Sequence, residues 1–300
     1  TINNKKINFE NLVKKKFIIR GAEVLRHNPL KIVNKIRNLV KSVSPLGYSS
    51  INLDESTSKY VIAFGQYANH CSFINVPNGM SLDIDELDID KKRLALLSTS
   101  GILAIAINGC KGAIKHCERD NKNVLIIGGG ILGVMSFYYL RSLNYDVKIS
   151  DPNKNALSNL LSLDLLKFSQ EKYSIVIDAS GSSTALLMHL DQINNYASIC
   201  LLGECSIPEC KSVLELKNSV LTFCNSFGSD RGVVDIEYDL YKIDGYPRYR
   251  SMQENIKDAY NLIINNKLES LNERINFINP TNNEFKFSRK NINIIDWTCL

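Results

Sequence analysis

Hydrophobic positions in the middle of the chain alternate between short unbroken apolar runs and longer segments with helical spacing. The short runs are typical of strands that are buried on both faces, as in a parallel sheet. The predicted strands are Val124–Ile127, Val147–Ser150, Ser174–Ala179, Ile199–Gly203 and Val220–Phe227. The helical patterns between them centre on Met135–Leu140, Ala156–Leu163 and Ala185–Leu190. Repeated β-α units of this kind predict an α/β fold with a doubly wound parallel sheet.

Segments on either side of this region carry start and stop signals for further elements. Asp90 is a suitable N-cap for a helix that begins at Lys91, and Ser98–Gly101 interrupts that helix. Ser251–Glu254 has the pattern of a capping box and predicts a helix that runs to about residue 266. Ile292–Trp297 predicts a final strand.

The turn after the first predicted strand has the glycine spacing G-x-G-x-x-G, at Gly128, Gly130 and Gly133. The first glycine permits a tight turn, the second lets backbone N–H groups approach a pyrophosphate, and the third lets helix and strand pack closely. Asp151 follows the second predicted strand, where a carboxylate binds the ribose hydroxyls of a dinucleotide. The glycine motif alone is also found in plain turns, but the strand, helix and acid around it favour dinucleotide binding. The expected cofactor contacts are Gly128, Gly130, Ile131, Leu132, Gly133 and Asp151.

Composition and charge narrow the class of protein. The sequence has 300 residues with 44% hydrophobic and 22% charged residues, which is typical of a globular protein of one large or two ordinary domains. It has no apolar run of membrane-spanning length and no signal-peptide pattern, so we expect a cytoplasmic protein that does not bind membranes. The eight cysteines form no C-x-x-C pair and no pattern with histidine, which argues against a zinc knuckle or redox pair.

The net charge of +5 is unevenly distributed, because residues 1–41 contain eleven Lys or Arg against two acids, a balance of +9. This basic segment is either a solvated helix face or a surface that attracts a phosphate-bearing partner. Because no aromatic residues alternate with the basic ones, we do not expect nucleic-acid binding.

The order of these regions resembles the medium-chain dehydrogenase/reductase family, in which a catalytic domain is split around a Rossmann domain. Local runs with this resemblance are Ile18–Glu23, Pro45–Ser50, Gln66–His70 and the D-x-x-G turn of Ile177–Gly181. The loops Ser226–Arg231 and Gly245–Tyr249 are similar to the zinc-free half of bi-domain oxidoreductases from surface-polysaccharide loci, and bacteriochlorophyllide dehydrogenases are more distantly similar. The resemblance implies a reduced GroES-like catalytic domain at residues 1–99 and 236–300, with the Rossmann domain inserted at residues 100–235.

The sequence departs from the zinc-dependent members of that family. The positions that match their catalytic zinc ligands are Ile18 and Tyr48, and Ser49 replaces an acid. Neither isoleucine nor neutral tyrosine is an ordinary zinc ligand, so we expect no metal.

Without a metal, a side chain must handle the proton that accompanies hydride transfer. His70 is the first candidate, because histidine titrates near neutral pH; the alternative is a structural histidine between domains. Tyr48 and Glu23 are further candidates, with core packing and an ordinary surface position as their alternatives.

Other residues are candidates for cofactor and substrate contacts. Thr99 lies at the helix interruption, where its hydroxyl either meets the nicotinamide ribose or ends the helix, and the resemblance places Ser180 and Gly181 over the cofactor. Arginine and tyrosine together suit sugars and nucleotide-sugars, although these residues are also common on surface loops. The substrate candidates are Tyr67, Arg231, Tyr246, Arg248 and Tyr249.

Together these patterns predict an oxidoreductase that moves a hydride to or from an alcohol, ketone or imine carbon of a polar small molecule. Asp151 would repel a 2′-phosphate and therefore favours NAD over NADP. The alternatives are a non-catalytic scaffold or partner subunit, and a reductase of a pigment or natural-product intermediate. By analogy with the family, we expect a homodimer that pairs through the last Rossmann strand, Val220–Phe227.

Overall fold

A parallel sheet forms the centre of the computed structural model. The structure describes residues 49–64, 76, 81–85, 89–117, 123–152, 172–182, 184–202, 219–223, 251–265, 267–279 and 292–296, all within the unit Gly47–Leu300. The sheet strands are β4 (Asn123–Ile127), β5 (Asp146–Ser150), β6 (Tyr173–Asp178), β7 (Ile193–Leu201) and β8 (Val220–Phe223). Their order is β5-β4-β6-β7-β8, and each strand is parallel to its neighbours.

All five predicted sheet strands are confirmed, with different bounds. β7 begins at Ile193, six residues before the predicted Ile199, because its first residues include exposed polar positions that an apolar run does not reveal. β8 is described as far as Phe223, so the rest of the predicted strand Val220–Phe227 lies outside the described residues.

Both faces of the sheet are buried, as the continuous apolar runs predict. Along β4, Val124 and Ile126 belong to one hydrophobic cluster, whereas Leu125 and Ile127 belong to a second cluster on the opposite face. The helices α1 (Lys91–Leu97), α2 (Ser100–Lys115), α3 (Ile131–Ser142) and α5 (Met252–Ile264) contribute residues to the first cluster. The short helix α4 (Ala185–Met188) contributes Leu186 to the second.

Helix α2 packs closely against the sheet because its buried face carries small residues. A Cβ on Gly109 would overlap Leu202 Cδ2 and lie 3.2 Å from Cys200 Sγ. On another side α2 contacts α5, where Lys111 Nζ and Asp258 Oδ2 form an ion pair at 2.6 Å.

Among the described residues no single helix is long and apolar enough to cross a membrane, although α1 and α2 reach that length and composition jointly, with a 48° bend between them.

The helix starts follow the predicted capping signals. Asp90 Oδ1 accepts the backbone N–H groups of Lys92 and Arg93 at 2.8 and 2.9 Å. Ser251 Oγ accepts the N–H of Glu254 at 3.2 Å and begins α5, which ends at Ile264. The predicted interruption is confirmed, because α1 ends at Leu97 and α2 begins at Ser100.

Two smaller groups of strands lie before and after the parallel sheet in the chain. An antiparallel sheet consists of β1 (Ser49–Leu53), β2 (Tyr60–Phe64) and β3 (Ser81–Asp83). Near the C-terminus, β9 (Ile275–Ile278) pairs in parallel with β10 (Ile292–Ile295), which confirms the predicted final strand. This arrangement agrees with a Rossmann sheet inserted into a β-containing domain. The predicted domain boundaries stay predictions: residue 99 lies at the break between α1 and α2, inside the unit Gly47–Leu300, and residue 235 lies outside the described residues.

Candidate functional site

The candidate site lies at the carboxyl end of β4, where the strand order reverses. β4 is the first strand of the parallel sheet in sequence, yet it lies between β5 and β6. The chains that leave β5 and β6 therefore depart on opposite sides of β4. In open α/β sheets such a reversal leaves a crevice outside the strand ends, and ligands bind there.

The three glycines that follow β4 have different structural reasons for lacking a side chain. Gly128 has a φ of +102°, and a Cβ on it would lie 2.7 Å from the backbone nitrogen of Ser180. A Cβ on Gly133 would overlap the carbonyl oxygen of Gly128, so this glycine lets α3 approach the turn. Gly130 is exposed, and no atom lies within 4 Å of the position its Cβ would occupy. The space beside Gly130 is therefore open to a ligand.

The amino end of α3 faces this space without a side-chain cap. Gly130 is the N-cap residue, and the first turn of α3 contains no acidic residue. Ile131 and Leu132 in that turn are partly exposed. Because the first N–H groups of a helix carry partial positive charge, this end of α3 suits an anion such as a pyrophosphate.

Asp151 lies beside the glycine turn, as the sequence predicts. Its Oδ2 accepts the backbone N–H of Gly129 at 2.7 Å. The preceding residue, Ser150, accepts the N–H of Gly128 with its carbonyl oxygen, also at 2.7 Å. Two consecutive hydrogen bonds therefore hold the end of β5 against the turn, with a partly exposed carboxylate at its edge.

The turn after β6 forms the other wall of the crevice. The fully buried Asp178 accepts both the N–H and the hydroxyl of Ser180 through Oδ1, at 3.0 and 2.6 Å. This local turn leaves Ser180 and Gly181 exposed, with Gly181 at a φ of +63°. The structure thus brings Ser180 to the glycine turn, where its backbone contacts Gly128 as described above.

His189 is a site residue that sequence reasoning missed. It follows α4, yet its Nε2 lies 2.8 Å from Ser150 Oγ at the end of β5. Its Nδ1 lies 2.8 Å from the carbonyl oxygen of Ala185. The two partners of this bond are 39 residues apart in the chain, and no local pattern connects them.

The hydroxyl groups at the α1–α2 break bond to the helix that precedes them. Thr99 is 2% exposed, and its Oγ1 donates to the carbonyl oxygen of Leu96 at 2.6 Å. Ser100 Oγ donates in the same way to the carbonyl oxygen of Leu97. Ser49 accepts the N–H of Gly101 at 3.1 Å and links β1 to α2.

The predicted proton-handling and substrate residues lie outside the described residues. These are Glu23, Tyr48, Tyr67, His70, Arg231, Tyr246, Arg248 and Tyr249. Ile18, on which the expectation of a metal-free site also rests, lies outside them too. Within the described part of the chain, no group of three or more His, Cys, Asp and Glu side chains is placed to hold a metal ion.

Comparisons with known proteins identify the fold. No protein-family profile matches this sequence, and the search of curated proteins finds no match. Among solved structures, TarJ of S. aureus in complex with NADPH is 16% identical over 73% of this chain and 66% of TarJ, with a TM-score of 0.50. Galactitol-1-phosphate dehydrogenase from Escherichia coli is 14% identical over 75% of this chain and 64% of that protein, with a TM-score of 0.51.

A third similar structure, described as a short chain alcohol dehydrogenase (rspB) from E. coli CFT073, is a complex with NADH. It is 15% identical over 73% of this chain and 61% of that protein, with a TM-score of 0.50. This chain thus spans between 61% and 66% of the length of these three proteins. It has the α/β fold of these dehydrogenases, with the Rossmann sheet that its sequence predicts.

Proposed function

We propose that this protein is a nicotinamide-dependent oxidoreductase of the medium-chain dehydrogenase/reductase type. The observation that carries the proposal is the glycine turn at the strand-order reversal, with Asp151 hydrogen-bonded to Gly129 on one side of it. The shared fold supports the same proposal, since structures of that fold hold NADPH and NADH.

The residues present fit a dinucleotide. The open space at Gly130 and the uncapped end of α3 would hold the pyrophosphate, while Asp151 would accept the ribose hydroxyls. The Gly129 N–H occupies one of about four acceptor sites of the Asp151 carboxylate, so this hydrogen bond does not exhaust its capacity. A bound nicotinamide would supply the hydride donor or acceptor.

The proposed cofactor is NAD(H) rather than NADP(H). A carboxylate beside the ribose binds two hydroxyl groups but repels a 2′-phosphate, so Asp151 supports this preference. The similar structures contain either cofactor, so the proposal depends on this residue of the chain itself.

The proposed reaction is metal-free hydride transfer to or from an alcohol, ketone or imine carbon of a polar metabolite, such as a sugar or nucleotide-sugar. It is supported by Ile18 and Tyr48 at the positions of zinc ligands and by the tyrosines and arginines of residues 226–249. His70, Tyr48 and Glu23 remain the proposed proton-handling residues.

Calorimetric titration with NADH and with NADPH tests the cofactor proposal. We expect the wild type to bind NADH more tightly, and Asp151→Asn to weaken NADH more than NADPH. Asp146→Asn is the matched control, because Asp146 is an exposed carboxylate at the opposite end of the same strand. No binding of either cofactor by the wild type would overturn the proposed function.

Single-turnover kinetics with a panel of polyols, sugars and nucleotide-sugars test the catalytic proposal. We expect His70→Ala and Tyr48→Phe each to slow hydride transfer while NADH still binds, and normal rates in both variants would refute these roles. Binding of NADH without turnover of any compound would favour the non-catalytic scaffold.

The proposed assembly is a homodimer that forms through β8. The proposal is supported by the position of β8 at the edge of the described part of the sheet, with β7 as its neighbour, because edge strands can pair with a second chain. Light scattering gives the mass in solution, and a monomer at micromolar concentration would contradict this proposal.

A further inference from the structure

The hydrogen bond between His189 and Ser150 connects two elements on opposite sides of the glycine turn. Ser150 ends β5, while His189 follows the turn and short helix that leave β6. Because β4 lies between β5 and β6, the side chain of His189 reaches past the β4 end of the sheet to form this bond. We call this pair the brace.

The two hydrogen-bond partners of His189 select one tautomer of its neutral ring. The carbonyl oxygen of Ala185 only accepts hydrogen bonds, so the nitrogen 2.8 Å away, Nδ1, carries the proton. Nε2 then has a lone pair and accepts the hydroxyl proton of Ser150. Both ring nitrogens therefore have partners, and the orientations of the ring and the Ser150 hydroxyl are fixed.

The brace acts on the strand that carries the cofactor acid. Ser150 is held through its hydroxyl by His189 and through its carbonyl oxygen by the N–H of Gly128. Among the described strands β5 is at the edge of the sheet, with β4 as its neighbour. Asp151 is the next residue, so a shift of Ser150 also moves the Asp151 backbone and strains the hydrogen bond that its carboxylate accepts from Gly129.

Side chains along β5 alternate between the two faces of the sheet, and this alternation makes the brace possible. Val147 and Ile149 of β5 are buried in the first hydrophobic cluster, so Ser150 points to the opposite face of the sheet. That face is the one against which α4 packs through Leu186. His189 at the end of α4 is therefore on the correct side of the sheet to reach Ser150.

We propose that His189 and Ser150 are positioning residues that set the preference for NADH over NADPH. This inference rests on the proposed function. Hydrogen bonds that ribose hydroxyls would donate to the Asp151 carboxylate need donor–acceptor distances near 2.5–3.0 Å, so a displacement of about 1 Å breaks them. Repulsion of a 2′-phosphate falls only as the inverse of distance, and the same displacement at about 4 Å changes it by roughly a fifth. Loss of the brace therefore weakens NADH binding selectively.

Two single variants and their combination test this inference, with the ratio of the NADPH and NADH dissociation constants as readout. Ser150→Ala removes the hydroxyl, and His189→Asn removes Nε2 while keeping an N–H near the Ala185 carbonyl. Loss of one hydrogen bond corresponds to about a fivefold rise in the dissociation constant of NADH, with a change of less than about twofold for NADPH. The double variant should match the single variants, because both remove one interaction.

A conservative variant and a remote control separate positioning from general destabilisation. Ser150→Thr keeps a hydroxyl and should restore the wild-type ratio. Ser142→Ala removes a comparable hydrogen bond, from Oγ to the carbonyl oxygen of Tyr139 at the far end of α3, and should leave the ratio unchanged. If His189→Asn does not fold, the two Ser150 variants still decide the question.

The outcomes distinguish this inference from the proposed function. A wild type that binds neither cofactor overturns the proposed function itself. A wild type that prefers NADH, with brace variants that keep the same ratio, overturns the positioning role alone. Equal weakening of both cofactors together with a lower melting temperature assigns the brace a purely structural role and also overturns the inference.

Discussion

Replacing Gly133 with alanine would place a methyl group against the backbone of the glycine turn. The new Cβ would overlap the carbonyl oxygen of Gly128 and lie 3.1 Å from its carbonyl carbon, whereas ordinary contacts begin near 3.4 Å. The obstacle is backbone, so no side-chain rotation relieves it. Either α3 or the turn must move.

The size of the effect follows from two opposing contributions. Overpacking a close contact costs about 1–3 kcal/mol, and a clash with fixed backbone belongs at the upper end of that range. Alanine in a helix recovers up to about 1 kcal/mol relative to glycine. The net loss is therefore about 2 kcal/mol. With an unfolding entropy of about 2.1 cal/mol/K per residue, this loss lowers the melting temperature of a 300-residue protein by about 3 °C.

Gly130→Ala is the matched control, because it makes the same chemical change three residues earlier. No atom lies within 4 Å of the new Cβ, and Gly130 has an ordinary φ of −69°. Alanine is a poorer N-cap than glycine, so we expect Gly130→Ala to lose stability, but by less than about 1 kcal/mol. Its methyl group enters the space proposed for the pyrophosphate, however, so we expect NADH binding to be strongly weakened.

Thermal and urea denaturation measure the stability of each variant, and calorimetric titration measures its affinity for NADH. We expect the two variants to differ: Gly133→Ala loses mainly thermal stability, whereas Gly130→Ala loses mainly NADH binding. A Gly133→Ala variant as stable as the wild type would show that α3 does not pack on the turn as described. A Gly130→Ala variant with unchanged NADH affinity would exclude this space as the pyrophosphate site.

Three further predictions concern stability. Burial raises the pKa of Tyr139, so the stability that depends on its protonated phenol is present below about pH 10 and decreases as pH rises. Denaturation at pH 8–11 should show a smaller alkaline decrease for Tyr139→Phe, and equal slopes would contradict this. Ser251→Ala should cost about 1 kcal/mol in urea unfolding while Ser251→Asp keeps the cap, and equal losses would refute the capping role. A double-mutant cycle for Lys111 and Asp258 should give about 0.5–1 kcal/mol of coupling, and strict additivity would show that the ion pair contributes nothing.

The elements that sequence reasoning predicted correctly depend on neighbouring residues. The caps at Asp90 and Ser251 were predictable because each side chain bonds to an N–H two or three residues further along. The same holds for the strands of the parallel sheet, whose apolar runs identify buried segments. Their exact ends were less predictable, since exposed residues of β7 pair with β6 although they are polar.

Elements held by distant partners were not predictable in this way. The antiparallel strands β1 to β3 and the strand β9 have short sequences whose pairing is decided by tertiary contacts. The role of Thr99 was also not predictable from neighbouring residues. Its position between two helices was compatible with cofactor binding or with ending a helix, and the structure shows its hydroxyl bonded to Leu96.

The amino-acid sequence alone predicts that a glycine turn follows a buried strand and that an acid follows the next strand. The spacing of the glycines and of the acid indicates these features, because backbone conformation and the charge at a helix end depend on residues close together in the chain. The contacts around the turn depend on the tertiary structure: Asp151 bonds to Gly129, Ser180 packs against Gly128 and His189 bonds to Ser150. These contacts join residues 22, 52 and 39 positions apart, and they exist because the strand order places three strand ends together.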